Sequence, residues 1–179
     1  KSNDGTIKNA VRLHDDLIVE SVLIPTKTRT TACVSSQVGC SLDCSFCATA
    51  QLKRMRNLNP DEIVDQVRAI DQESKTYFSR PLSNIVFMGM GEPLMNYKNV
   101  LLAIDKITSA DGLGMSPKRI TVSTSGVPKM IKKLADDQVK FHLAVSLHSA
   151  IQETRASIMP FAKTFILEDL AEALIYWYE

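Results

Sequence analysis

Apolar and polar positions divide this chain into a short alternating region followed by a repeating series of apolar runs and helical stripes. From Ile7 to Ile24 the alternation is loose. The turn residues His14-Asp15-Asp16 separate Ala10-Val-Arg-Leu13 from Leu17-Ile-Val-Glu-Ser-Val-Leu-Ile24, which Pro25 closes, and this pattern predicts a β-hairpin. Four short apolar strands are then expected at Thr31 to Ser35, Asn84 to Met88, Arg119 to Ser123 and Phe141 to Leu147, each followed by a loop and a helical pattern. The helices are expected at about Pro60 to Glu73, Asn99 to Ala110, Pro128 to Asp137 and Leu167 to Tyr178. In the first of them Asn59 is placed to cap, Pro60 takes the first helical position, and Asp61 and Glu62 face the positive end of the helix dipole. Ile63, Val64, Val67 and Ile70 form its apolar stripe.

Strands alternating with helices at this spacing indicate parallel βα units. The continuous runs Ile85-Val-Phe-Met88 and Leu143-Ala-Val145 read as strands covered on both faces. Four units are too few to close an eight-stranded barrel. The expectation is therefore an α/β fold with a truncated parallel barrel core over residues 29–179, preceded by a hairpin extension over residues 1–28. No internal repeat or low-complexity segment interrupts it.

Composition narrows the setting without choosing a partner. The 179 residues are 45% hydrophobic and 23% charged, enough for one ordinary core. The formal charge of +1 leaves any polyanion-binding surface to local patches, of which Lys53, Arg54 and Arg56 are the best placed. Lys118 and Arg119, and Lys129, Lys132 and Lys133, are further candidates, with solvated surface charge as the ordinary reading of each. No apolar run approaches the roughly 18 residues of a membrane span, and no signal-peptide pattern opens the chain. All four cysteines fall between Cys33 and Cys47, unlike the distributed staples of a secreted disulfide framework, so a reducing, cytoplasmic setting is expected. The chain starts without Met and stops directly after Leu174-Ile-Tyr-Trp-Tyr178, which suggests a fragment.

Cys40, Cys44 and Cys47 form a C-x3-C-x2-C run in the loop after the first of the four strands, on the edge where parallel α/β proteins bind ligands. Three thiolates on a cubane iron–sulfur cluster leave one iron open, whereas a structural zinc site wants four protein ligands. Zinc ligation with Cys33 as the fourth ligand and a redox pair at Cys44 and Cys47 are the competing readings. Gly39 lets the backbone bend close to such a cluster. Gly89-Met-Gly-Glu-Pro93 follows the second strand, with glycines that permit close approach of a ligand and a carboxylate at Glu92; an ordinary strand-to-helix turn is the alternative. Ser123 ends the third strand, and Ser146 and His148 end the fourth.

The run Thr30-Thr-Ala-Cys-Val-Ser-Ser-Gln-Val-Gly-Cys-Ser-Leu-Asp-Cys-Ser-Phe-Cys-Ala-Thr-Ala50 resembles the radical S-adenosylmethionine superfamily. Together with Met88-Gly-Met-Gly-Glu-Pro-Leu94, Ile120-Thr-Val-Ser-Thr-Ser-Gly126 and Ala144-Val-Ser-Leu-His148, it resembles within that superfamily the RlmN family of dual-specificity RNA adenine C2-methyltransferases; the related Cfr family, acting at C8, shares much of the pattern. The resemblance covers nearly the whole chain. It implies a [4Fe-4S] cluster on Cys40, Cys44 and Cys47, and S-adenosyl-L-methionine held by Gly91, Glu92, Ser123 and the Ser146-Leu147-His148 segment. It implies 23S rRNA and tRNA as substrates, an external electron donor, and no DNA or membrane partner.

In that family a cysteine near the C-terminus is first methylated. A 5′-deoxyadenosyl radical then takes a hydrogen from the S-methyl group, and the resulting carbon radical adds to C2 of adenine. Loss of the C2 proton and formation of a disulfide release the product. By resemblance the proton acceptor maps to Glu20, with Cys33 as a competing candidate. A carboxylate among apolar neighbours would have a raised pKa suited to a base, while a place on the solvent face of the strand is the plain alternative. No cysteine follows Cys47. The methyl-carrying residue, a later cofactor-binding asparagine and the family's N-terminal RNA-binding domain are therefore expected outside this sequence, which alone would not complete methyl transfer.

Overall fold

A computed structural model describes all residues, Lys1 to Glu179. Its centre is a six-stranded sheet in the order β1-β2-β3-β6-β7-β8, where β1 is Ile7–Arg12, β2 Ile18–Pro25, β3 Thr30–Cys33, β6 Asn84–Phe87, β7 Ile120–Thr124 and β8 His142–Val145. The hairpin β1-β2 is antiparallel and joins β3 antiparallel, so it continues the main sheet. From β3 onward every pairing is parallel and neighbours follow chain order. A separate ribbon pairs β4, Gln37–Val38, with β5, Arg56–Asn57, and brackets the cysteine loop between them.

Parallel neighbours in chain order, joined by connections of one hand, place the crossover helices on one face of the sheet. Burial follows that geometry. Ala32, Ile85, Phe87, Ile120 and Val122 are buried, while Cys33, Val86, Thr121 and Ser123, which alternate with them, are only half-buried. The expectation of strands covered on both faces is thus corrected: apolar continuity in Ile85-Val-Phe reflects one helix-covered face and one more open face.

Helix α1, Pro60–Phe78, begins with a complete capping box: Asn59 accepts from the Glu62 amide and the Glu62 carboxylate accepts from the Asn59 amide. It runs five residues beyond the expected Glu73, because the polar Ser74 turns inward and donates to the Arg80 carbonyl at 2.7 Å. Ser79 ends it in the left-handed region, φ 54°. Helix α2, Tyr97–Thr108, starts two residues early on a 3-10 turn over Pro93–Asn96. Helices α3, Pro128–Asp136, and α5, Leu167–Tyr178, fall where the pattern predicts. Helix α4, Gln152–Ile158, is not foreseen by any apolar stripe, since its buried residue is Arg155. The main core gathers 29 residues from the sheet and helices, and a satellite of Leu42, Cys44, Met159 and Ala162 lies under the cysteine loop.

Candidate functional site

The carboxyl ends of β6, β7 and β8 meet the β4–β5 loop around a cavity of about 330 Å³, within the size range of small-molecule sites. Cys40, Cys44 and Cys47 line one wall, and Gly91, Glu92, Ser123, Ser146 and His148 line the others. Eight of the eleven residues singled out from the sequence therefore meet at one cavity (Leu147, Cys33 and Glu20 do not line it).

The cysteine wall is built by a loop closed on itself. Gly39, φ +73°, passes so near the returning strand that a Cβ there would lie 2.3 Å from the Lys53 carbonyl oxygen. Its glycine serves this internal crossing, not only an approach to a ligand. Cys40 donates its amide to Leu52, and Ser45 donates its amide to the Ile158 carbonyl at 2.9 Å, tying the loop to the end of α4. All four cysteines are free thiols. Burial, reinforced by the neighbouring Cys40, Cys47 and Glu92 charges, pushes the Cys44 thiol up to about 11, and burial also raises Cys40. Without a bound cation Cys40 and Cys44 favour the protonated thiol; a metal would reverse that preference. No three His, Cys, Asp or Glu side chains converge closely enough to hold a single metal ion. Three thiols on a cavity wall that Cys33 does not line suit a cluster with one open iron better than tetrahedral zinc, which wants four protein ligands.

Glu92 forms the opposite wall. It is 2% exposed, caps the 3-10 turn at Pro93, and accepts from the Leu94 amide at 3.0 Å and the Ser125 amide at 2.7 Å. Burial raises its pKa against those hydrogen bonds. No cation pairs with it. A buried carboxylate without a counter-ion facing a cavity fits an incoming ammonium, such as that of a methionyl group. The glycines beside it line the cavity and also serve a packing purpose that the sequence does not show. A Cβ on Gly89 would meet Ser35 and Val34 within 2.8 Å, and one on Gly91 would meet the Gln37 side chain at 2.5 Å. They let two strand-end loops pack together.

Sequence reasoning passed over the residues that hold this wall. Gln37, fully buried, accepts from the Glu92 amide at 2.9 Å and donates to Asn57 at 2.7 Å. Ser35 Oγ donates to the Glu20 carbonyl at 2.6 Å and accepts from the Met90 amide at 2.8 Å, while Gln66 brackets the Ser35 backbone. Asn96 donates to the Ser36 and Leu58 carbonyls.

Ser123 and Ser146 stand across β7 and β8 with their hydroxyls 3.4 Å apart. His148 adopts φ +59°, rare for a residue with a Cβ, inside a tight turn in which Ser149 donates to Leu147 at 2.7 Å. Its ring lies 4.2 Å from that of Phe46, joining the strand end to the cysteine loop. Leu147 is exposed beside the cavity.

Cys33 and Glu20 share the open face of the sheet. Val22 pairs with Cys33, so Glu20, two residues along the antiparallel β2, lies on the same face at the level of Ser35. Glu20 is not enclosed by apolar neighbours: its side chain is 48% exposed and contacts Lys8 at 2.7 Å. The desolvation expected there is absent because this sheet face is open. Burial raises the Cys33 thiol. Of the basic residues nearest the site, Arg56 is held by Asp15 at 2.6 Å and Glu62 at 2.8 Å and is not free for phosphate, whereas Lys53 and Arg54 are exposed. No helix is long and apolar enough to cross a membrane.

Comparison with known proteins agrees with this arrangement. The family model described as Radical SAM superfamily matches residues 34–174. Proteins named "Probable dual-specificity RNA methyltransferase RlmN" from Flavobacterium johnsoniae and Flavobacterium psychrophilum are 79% and 80% identical over 178 residues, 99% of this chain and 51% of each relative. A crystal structure of a radical SAM methyltransferase from Sphaerobacter thermophilus superposes with a TM-score of 0.93 at 40% identity, covering 97% of this chain and 51% of that one. The chain thus spans about half the length of the curated relatives it matches.

Proposed function

The chain belongs to the Radical SAM superfamily, and from that membership we propose that it is the cofactor-binding part of an RNA methyltransferase that acts on C2 of adenine in 23S rRNA and tRNA. The observation that carries the reading is the meeting of three free thiols and one unpaired buried carboxylate at a single cavity. Cys40, Cys44 and Cys47 would hold the [4Fe-4S] cluster, leaving one iron open for S-adenosyl-L-methionine. Bound there, the cluster and cofactor together supply one-electron reductive cleavage of the sulfonium.

The chain's own residues orient and enclose. Glu92 offers its carboxylate to the methionyl ammonium, and the Leu94 and Ser125 amides hold that carboxylate in place. Ser123 and Ser146 present hydroxyls that would bind the same cofactor, and the Phe46–His148 contact joins two parts of the cavity lining. Glu20 and Cys33 share the open sheet face, where a flipped adenine would find either a carboxylate or a thiol to take its C2 proton. Cys33 is also the thiol available for a resolving disulfide with the methyl-carrying cysteine of the complete enzyme. Exposed Lys53 and Arg54 are the phosphate contacts proposed for RNA.

Anaerobic reconstitution tests the reading. Wild-type protein is expected to turn brown and bind about four irons with matching sulfide. Replacing Cys40, Cys44 and Cys47 together with Ala should abolish both. A colourless wild-type protein holding one zinc would overturn it. In the complete enzyme, methylation of adenine at C8 instead of C2 would overturn the regiochemistry alone.

A further inference from the structure

Two charged side chains are buried in this protein, Glu92 and Arg155, and only Glu92 has an evident purpose in binding the cofactor. Arg155 has no accessible surface. It forms no ion pair with any carboxylate. One terminal nitrogen donates to the Ser125 carbonyl, the other approaches the Met159 sulfur at 3.6 Å, and Nε has no partner. The guanidinium lies 5.5 Å from the centre of the Phe161 ring. Isolated burial of a charge is costly, and these neutral contacts offset only part of that cost.

Its surroundings are the cysteine loop. Met159 shares the satellite core with Cys44, and Phe161, Cys40 and Cys47 pack against the same cluster. The carbonyl of Ile158, at the end of the helix that carries Arg155, accepts from both the amide and the hydroxyl of Ser45. On its other side Arg155 anchors Ser125, whose amide holds Glu92.

Resting on the cluster-binding reading above, we propose that Arg155 is a fixed counter-cation for the thiolate-held cluster, favouring its one-electron reduction by leaving its charge unpaired in a dry site. Three thiolates give the loaded site net negative charge, and reduction adds one more unit. A buried cation, unscreened by water and not spent on a carboxylate, stabilises the more negative state more strongly. In the step considered, one electron passes from a low-potential one-electron donor to the cluster; no proton moves, and Arg155 stays protonated throughout. Arg155 is thus a positioning residue, acting on the reaction through the cluster.

The test is a potentiometric titration of the reconstituted holoenzyme with dithionite, followed by the electron paramagnetic resonance of the reduced cluster. Wild type is compared with Arg155→Met, Arg155→Gln and Arg155→Lys. The neutral variants are expected to lower the reduced-to-oxidised ratio at a given potential by about tenfold or more, a negative shift of at least about 59 mV for one electron. Arg155→Lys, which keeps the charge but not the fork of hydrogen bonds, should stay near wild type. Neutral variants that fold by circular dichroism yet lose iron, while Arg155→Lys retains it, would support the same role. Neutral variants that titrate as wild type would overturn it, as would loss of cluster or an equal shift in all three variants, which would make Arg155 a structural strut. A wild-type protein that takes up no cluster would instead sink the proposed function itself.

Discussion

The two walls of the cavity are made in opposite ways. The carboxylate wall stands on the main core, and its polar groups are matched: Glu92 takes two backbone amides, Gln37 spans Glu92 and Asn57, and Ser35 joins the ends of β2, β3 and β6. The cysteine wall stands on a four-residue satellite core and presents thiols raised by burial, beside a guanidinium with no carboxylate. Both walls gain charge balance from what they bind, but the hydrogen bonds of the carboxylate wall are in place before any ligand arrives. Metal binding and loop order are therefore coupled on the cysteine side and nearly independent on the other.

The largest break in this contrast should come from Glu92→Gln. The amide keeps the shape but presents a donor to one of two backbone amides and loses the charge meant for an ammonium. S-adenosyl-L-methionine affinity of the cluster-loaded protein should fall about 10- to 100-fold by equilibrium dialysis, the worth of one charge-assisted hydrogen bond. Cluster content should be unchanged, since no thiol is touched. The same variant has a pH signature in ligand-free protein. Burial raises the folded pKa of Glu92 above the unfolded value of about 4.3. The folded state then holds the proton more tightly, so this contribution is complete below about pH 4.3 and is lost as pH rises through the folded value. Relative to Glu92→Gln, wild-type stability should decline across that window. Parallel pH dependence of the two proteins in urea unfolding would refute the assignment.

A smaller effect should follow from Gln37→Leu, which keeps bulk but removes the bridge. The Glu92 amide and Asn57 side chain lose their partner, at a cost of about 1–3 kcal/mol in urea unfolding. Because β4 leads directly into Gly39 and Cys40, the two walls should also loosen together. Faster amide exchange is expected both at Gly91-Glu92 and at Cys40. Exchange confined to Gly91-Glu92 would mean that the walls are held separately.

Much of this was legible before the structure, for reasons that differ by element. The parallel strands β3, β6, β7 and β8 announced themselves by apolar runs and lie within two residues of their expected bounds, because register in a parallel sheet depends on those same side chains, whereas β1 starts three residues before Ala10 and the two-residue β4 and β5 were not foreseen. Which faces are covered was not legible, since that depends on strand order rather than on any one strand. The cavity-lining cysteines, Glu92 and the strand-end serines were visible as polar groups where apolar runs stop. Gln37 and Arg155 were not. A buried Gln or Arg looks like surface in a sequence, and only the fold shows that Gln37 meets the Glu92 amide or that Arg155 lies under the cysteine loop. The glycines were found for an incomplete reason: Gly39, Gly89 and Gly91 all relieve contacts between protein segments.

The smallest effect, and the control for the contrast, lies away from both walls. Asn59→Ala removes the side chain that accepts from the Glu62 amide while leaving Glu62 free to accept from the Asn59 amide and to hold Arg56. Loss of one cap should cost about 1 kcal/mol, a fall of about 2–4 °C in Tm for a chain of this size. Helix α1 carries Gln66, which brackets Ser35, so a fraying first turn could in principle reach the carboxylate wall. Gln66 lies in the second turn, however, with its own contact to the Glu62 carbonyl and neighbours Ile63, Val64 and Val67 in the main core. Packing at that level should stop the fraying. Cofactor affinity and iron content are therefore expected to match wild type at 25 °C. A fall in affinity comparable to that of Glu92→Gln would show that the order of the carboxylate wall is borrowed from the helix cap, and that the two walls differ less than their hydrogen bonds imply.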